Sequence, residues 1–155
     1  METKIILLPT ILLYSVIVSQ SFSYIISLRN VQQQLNAPSY IVFRKLTDKN
    51  YNATFRWVIY AGLLCNLMLV ILCAVQSGRL LLAGSIISFV ALLADTLIAV
   101  KGNMPINKII NTWTPEQYPH NWADYRTSWL QFFSKRQVLN ITGFTCLLAA
   151  VIFSE

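Results

Sequence analysis

The chain has 155 residues, of which 55% are hydrophobic and only 12% are charged, and its formal net charge is +6. A soluble domain carries roughly 25% charged residues, so half that fraction together with long apolar runs indicates an integral membrane protein. In a membrane protein the distribution of cations over the loops matters more than their sum, so the basic balance does not predict a nucleic-acid partner.

Four apolar segments predict four membrane spans, at about 5–28, 57–75, 80–100 and 138–153. The first follows a short polar start and is too long for the apolar region of a signal peptide, so we interpret it as a retained span. The fold class is therefore all-α: an integral membrane four-helix bundle in a single domain, 1–155.

The connections between the spans differ in length. Residues 76–79 form a tight turn, whereas 29–56 and 101–137 are long and polar. In the first long connection, residues 40–46 are compatible with either a short interfacial helix or a solvated connector. In the second, the motif region 101–137, the spacing of Trp122, Tyr125, Trp129, Phe132 and Phe133 predicts an ordered loop followed by an amphipathic helix that runs into the fourth span.

The cations divide unequally between the two ends of the bundle. Lys4 and Arg79 fall at one end, and the other ten of the twelve Lys and Arg residues fall at the end with the long connections. Cations near span ends mark the cytoplasmic side. The sequence therefore predicts a multi-pass protein with cytoplasmic long connections and with both termini outside.

Polar residues inside the spans converge at one depth. Gln20, Asn66, Asp95, Asn140 and Thr142 lie within about 14 Å of the predicted cytoplasmic surface, counted at 1.5 Å per residue. We expect a polar cavity that opens toward the long connections. Asn66 needs a hydrogen-bonding partner in hydrocarbon, so it should face another helix or a ligand.

Two residues are candidates for catalysis. Asp95 is a carboxylate within a span, so it either pairs with a cation, for which Lys101, Arg126 and Arg136 are candidates, or handles a proton or substrate. His120 either caps the following helix or acts as a general base, because its reference pKa is near neutral.

The cysteines and the single histidine do not form a recognisable metal centre. Cys65, Cys73 and Cys146 all lie in apolar runs without CxxC spacing, which is typical of small buried side chains. The sequence therefore predicts no metal site and no cofactor, while a cofactor held by non-covalent contacts alone stays open.

A motif follows the third span. Asn103-Met-Pro-Ile-Asn107, then Trp113, Pro119, Trp122, Arg126, Trp129 and Arg136, resembles the N-x-P-[IL]-N … W … P … W … R … W … R pattern of the anthrone oxygenase-like family of small four-span membrane proteins. Many members of that family have no known function, and some oxidise anthrones to anthraquinones with molecular oxygen, without a metal or flavin. Asp95 and His120 are outside the pattern, so a base role for either is our own hypothesis.

The resemblance implies a set of ligand-binding residues. From the residues alone, the tryptophans are interface anchors or an aromatic pocket, and the asparagines are helix caps or ligand donors. With Asn66 added from its place in the second span, the predicted set is Asn66, Asn103, Asn107, Trp113, Trp122, Arg126, Trp129 and Arg136.

Three functions are compatible with these features. The first is a cofactor-independent oxygenase acting on a planar aromatic or hydrophobic substrate. The second is a non-catalytic membrane binding or assembly protein whose arginines meet lipid phosphates. The third is a small transporter that uses Asp95 and works as an oligomer. The expected partners are the lipid bilayer, a hydrophobic or aromatic small molecule and, as a further candidate, a second copy of the chain.

Overall fold

The residues described by the structure, a computed structural model, are 2–76 and 78–154, and they form α-helices without any strand. The helices are α1 Glu2–Ser23, α2 Arg29–Gln34, α3 Ala37–Asn50, α4 Arg56–Gln76, α5 Arg79–Ile98, α6 Met104–Asn111 and α7 Trp122–Phe153. The predicted turn at 76–79 includes Ser77, which lies outside the described residues.

Three π-helical turns join helices end to end. Tyr24–Leu28 joins α1 to α2, Tyr51–Phe55 joins α3 to α4, and Ala99–Asn103 joins α5 to α6. The result is four long helices that are apolar enough to cross a membrane: Thr3–Gln34, Ala37–Gln76, Arg79–Asn111 and Trp122–Phe153. The predicted all-α class with four spanning helices is confirmed.

These helices are longer than the predicted spans. They contain 32, 40, 33 and 32 residues, which is about 48–60 Å at 1.5 Å per residue against a hydrocarbon core of about 30 Å. Most of both long connections is helical, because each polar segment has one face that packs against the rest of the protein. The proline signal at 36–38 marks a helix start: Asn36 Oδ1 accepts from the Ser39 amide at 3.1 Å and caps α3.

The spanning helices form a closed ring. Helix α1 packs against α4 and α7, and α5 packs against the same two helices. Between α5 and α7 the backbones approach closely, because a Cβ at Gly84 would overlap that of Ala150. The interior is filled by the buried side chains of Tyr14, Ile17, Leu69, Cys73, Leu92 and Leu147.

The outer surface of the ring is apolar. Exposed residues such as Leu12, Leu64 and Val90 are distributed over α1, α4 and α5. A soluble protein rarely exposes so many large apolar side chains on contiguous helix faces. These faces fit contact with lipid tails, as expected of a small multi-pass membrane protein.

Candidate functional site

A cavity of about 170 Å³ lies where the spanning bundle meets its helical extensions. All three π-helical turns contribute to its wall, through Tyr24 in the first, Tyr51 and Phe55 in the second, and Val100 and Asn103 in the third. A π-helical turn holds one extra residue and so shifts the helix face that follows it; such turns are frequent at functional sites. The cavity is thus built at the distortion shared by three of the four long helices.

An ion pair forms one side of the cavity. Arg136 Nε donates to Asp95 Oδ1 at 2.7 Å, and Nη2 reaches Oδ2 at 3.5 Å. The Asp95 side chain is 1% exposed. Of the three cations considered from the sequence, Arg136 is therefore the one that compensates this buried charge.

Asn103 ties the ion pair to the adjoining turn of α7. Its Oδ1 lies 3.5 Å from Arg136 Nη1, and its Nδ2 donates to the backbone carbonyl of Trp129 at 2.9 Å. Both ends of the buried amide are therefore engaged. Asn103 fixes where Arg136 lies relative to the third π-helical turn.

Asn107 organises a second polar group beside the first. Its Oδ1 accepts from Arg44 Nη2 at 2.8 Å and from Trp129 Nε1 at 2.9 Å, and its Nδ2 donates to Asp48 Oδ1 at 2.8 Å. The other oxygen of Asp48 accepts from Asn111 Nδ2 at 2.8 Å. Only one orientation of the Asn107 amide satisfies these partners, with the oxygen toward the donors and the nitrogen toward the carboxylate.

Two side chains pack on the ring of Trp129. The Arg44 guanidinium lies 3.9 Å from its ring centroid, and Phe133 stacks on the ring at 5.1 Å and 11°. Arg136 lies 5.3 Å from the Phe133 ring and continues the column. Trp129 therefore positions Arg44. The aromatic side chains that line the cavity beside it are Tyr24, Tyr51, Phe55 and Tyr60.

Three other motif residues form a separate cluster outside the cavity. Trp113 is buried and meets Tyr125 edge to face at 5.1 Å. Arg126 Nη1 donates to the carbonyls of Gln32 and Leu35, at 3.2 and 3.0 Å, and its guanidinium lies 4.7 Å from the Trp122 ring. These contacts close the carboxyl end of α2, and Trp113 packs in one cluster with Tyr40 and Ile41 of α3.

His120 and Asn66 also lie away from the cavity. His120 is solvent-exposed in the turn before α7. Asn66 is fully buried between α4 and α5, where its Nδ2 donates to the Gly62 carbonyl at 2.8 Å and its Oδ1 accepts from Ser88 Oγ at 2.6 Å. Asn66 thus faces a neighbouring helix, which was one of its two expected surroundings.

The cavity brings together half of the predicted site residues. They are Asp95, Asn103, Asn107, Trp129 and Arg136, and Gln20 lines it as well. Sequence reasoning missed Arg44 and Asp48, which it left in the first long connection, 29–56, as an interfacial helix or a solvated connector. Tyr40, Arg44 and Asp48 are spaced by four residues, which places them on one helix face, and this spacing was visible in the sequence.

The fold and the cavity define a class: a small multi-pass membrane protein whose helical extensions enclose an arginine-rich, aromatic-walled cavity at one end of the bundle. Comparison of the chain with protein-family models, curated proteins and solved structures finds no match.

Proposed function

We propose that this protein is a membrane-bound, cofactor-independent oxygenase that acts on a planar aromatic substrate in the cavity. The observation that carries the proposal is the grouping of Asp95, Asn103, Asn107 and Arg136 around one space that is also lined by aromatic rings. The resemblance of the 103–136 segment to the anthrone oxygenase-like family supplies the reaction.

The reaction balances without a cofactor. An anthrone and one molecule of oxygen give an anthraquinone and one molecule of water. The ring methylene becomes a carbonyl, one oxygen atom enters that carbonyl, and the other leaves as water with both methylene hydrogens. The first requirement is removal of a methylene proton, because the electron-rich anion is the species that reduces oxygen.

The cavity contains groups suited to that first step. Asp95 is a carboxylate whose Oδ2 is held only loosely, at 3.5 Å from Arg136 Nη2, and we assign it the role of proton acceptor. The Arg136 guanidinium and the Asn103 amide lie beside it and fix its position. Tyr51 and Phe55 offer their rings to the planar body of the substrate.

Oxygen consumption by purified protein in liposomes tests the proposal. With an anthrone as substrate, we expect anthraquinone to appear with one oxygen consumed per product, above the spontaneous rate in protein-free liposomes. Asp95→Asn should lower the rate by about a hundredfold or more, which is the lower range for loss of a general base. Asp124→Asn, an exposed carboxylate outside the cavity, is the matched control and should keep the native rate.

A native rate equal to that of protein-free liposomes, with the protein folded, would exclude the oxygenase function. The second candidate would then apply: binding of the aromatic molecule without turnover. One observation favours it, namely that Asp95 is already paired with Arg136. Retained binding of the anthrone without oxygen uptake would establish this candidate.

We further propose that the cavity end faces the cytoplasm. Ten of the twelve cations lie at this end of the bundle, and cations near span ends are retained on the cytoplasmic side. In a cysteine-free background, a membrane-impermeant thiol reagent added outside intact cells should label Arg79→Cys and spare Lys49→Cys. The reverse labelling would invert the proposed orientation.

A further inference from the structure

Arg44 is buried with unused hydrogen-bond donors. The residue is 3% exposed and lines the cavity. Its Nη2 donates to Asn107, but among the described residues its Nε and Nη1 have no hydrogen-bond partner. Buried charged groups are normally paired and fully hydrogen-bonded, because desolvation without a partner is costly. A buried guanidinium with two unpartnered nitrogens, which carry three N–H bonds between them, is therefore arranged for an acceptor that the protein does not provide.

The charges around the cavity do not balance. Three arginines, Arg44, Arg56 and Arg136, face two carboxylates, Asp48 and Asp95. Asp95 pairs with Arg136, and both oxygens of Asp48 accept from asparagine amides. Arg56 is solvent-exposed, whereas Arg44 is buried and forms no ion pair among the described residues. A single anionic oxygen group is therefore the acceptor that would pair with its charge.

Part of the cavity wall is exposed and apolar. Tyr60, Val100 and Met104 line the cavity and are 56%, 50% and 42% exposed. They lie on the second and third spanning helices, beside other outward apolar side chains. Arg56 and Trp57, 5.1 Å apart, lie on the turn next to Tyr60, and tryptophan with a cation is typical of the membrane–water interface. An opening on this side, between α4 and the third π-helical turn, would lie at the edge of the hydrocarbon.

We infer that the cavity receives a monoanionic amphiphile from the bilayer. Its acidic oxygen accepts from Nε and Nη1 of Arg44, and its apolar body lies along Tyr51 and Phe55 after passing between Tyr60 and Val100. The inference rests on the proposed function, since both use the same cavity, but it does not require turnover. An anthrone anion belongs to this class, and so does a carboxylate on an aromatic or acyl body.

The charge requirement is tested with a matched pair of probes. The protein is placed in nanodiscs of uncharged phosphatidylcholine, and energy transfer from tryptophan to an anthracene carboxylate, or to its methyl ester, is titrated with concentrations expressed per lipid. A hydrogen bond to a charged group contributes roughly 1.5–3 kcal/mol, so the acid should bind about tenfold tighter than the ester, or more. Arg44→Gln should remove that difference and leave ester binding within about twofold of native.

Lys101→Gln is the matched charge control. Lys101 is an exposed cation on the third π-helical turn, beside Val100, and it does not line the cavity. Its removal should leave both affinities unchanged, because an exposed charge in water contributes little. An equal loss of acid binding in Arg44→Gln and Lys101→Gln would reduce the effect to the general charge of the protein and overturn the assignment to Arg44.

The route is tested by blocking the opening. Val100 and Leu97 are both 50% exposed on the same long helix, but only Val100 lines the cavity. Val100→Trp should slow the association of the membrane-dissolved carboxylate several-fold in stopped-flow measurements, while Leu97→Trp should keep the native rate. Equal rates for both variants and the native protein would overturn lateral access.

Equal affinity of the native protein for acid and ester would overturn the inference, since the donors of Arg44 would then be satisfied by trapped water. This comparison needs no variant, so it decides the matter even if Arg44→Gln does not fold. Preferential binding of the anthracene carboxylate, together with no oxygen uptake from an anthrone, would exclude the oxygenase proposal alone. Oxygen uptake from anthrone without any preference for the acid would remove this inference alone.

Discussion

Removing Arg136 should be one of the most destabilising single changes in the chain. Asp95 is 1% exposed, and among the described residues its hydrogen-bond donors all belong to Arg136, at 2.7 and 3.5 Å. Arg136→Met therefore leaves a buried carboxylate unpaired, which costs about 3–5 kcal/mol. The double variant Asp95→Leu/Arg136→Met removes both charges and should cost less than Arg136→Met alone, because no unpaired ion remains.

The measurement is a double-mutant cycle on the free energy of unfolding, by titration with a denaturing detergent in mixed micelles followed by tryptophan fluorescence. Asp95→Leu completes the cycle. A loss of less than about 1 kcal/mol for Arg136→Met, the level of a solvent-exposed pair, would refute the assignment of this ion pair to the buried interior.

Two further outcomes follow from packing. Gly84→Ala should lower the free energy of unfolding by about 1–3 kcal/mol, because the added Cβ overlaps Ala150 between α5 and α7. Gly78→Ala meets nothing within 4 Å and should cost less, up to about 1 kcal/mol, for the loss of a glycine N-cap of α5. A smaller effect of Gly84→Ala than of Gly78→Ala in detergent unfolding would contradict the close approach. Arg126→Ala should speed proteolysis of the segment before α3, because it frees the two carbonyls at the end of α2. His120→Ala, at an exposed turn position, should leave cleavage and probe binding at native levels. Unchanged cleavage in Arg126→Ala would contradict the capping role.

The spans could be predicted from the sequence, but the helical extensions could not. A bilayer requires about 20 consecutive apolar residues, so composition alone locates the four spans. Residues 29–50 are polar, and their helical face is visible only once its partner is known. Gln32, Tyr40, Ile41 and Arg44 are buried there because α6 and α7 pack over them.

The candidate site could be predicted only in part. An ion pair was one of the two roles expected for Asp95, but the choice of Arg136 from three cations depends on two helices that meet across 41 residues of sequence. The motif residues were grouped as one site because the family pattern that they resemble contains them all. The structure separates them by helix face: Asn103 and Asn107 are four residues apart on one face, whereas Trp113 follows the end of α6.

Arg44 shows the limit of sequence reasoning. An arginine in a mixed basic and apolar segment near a span is typical of a headgroup contact. Its stacking on Trp129 and its bond to Asn107, 63 residues away, are tertiary features with no local signature. The free donors that carry the ligand inference therefore become visible only in the folded protein.

Photo-cross-linking tests most directly whether the cavity is the ligand site. A diazirine-bearing anthracene carboxylate is added to the protein in nanodiscs, irradiated, and mapped by mass spectrometry of the peptides. We predict labels on residues 51–60 and 96–104, which form the opening and the aromatic wall, with competition by the unmodified carboxylate. Labels confined to the cluster around Trp113 and Trp122, with none on those two segments, would contradict the account.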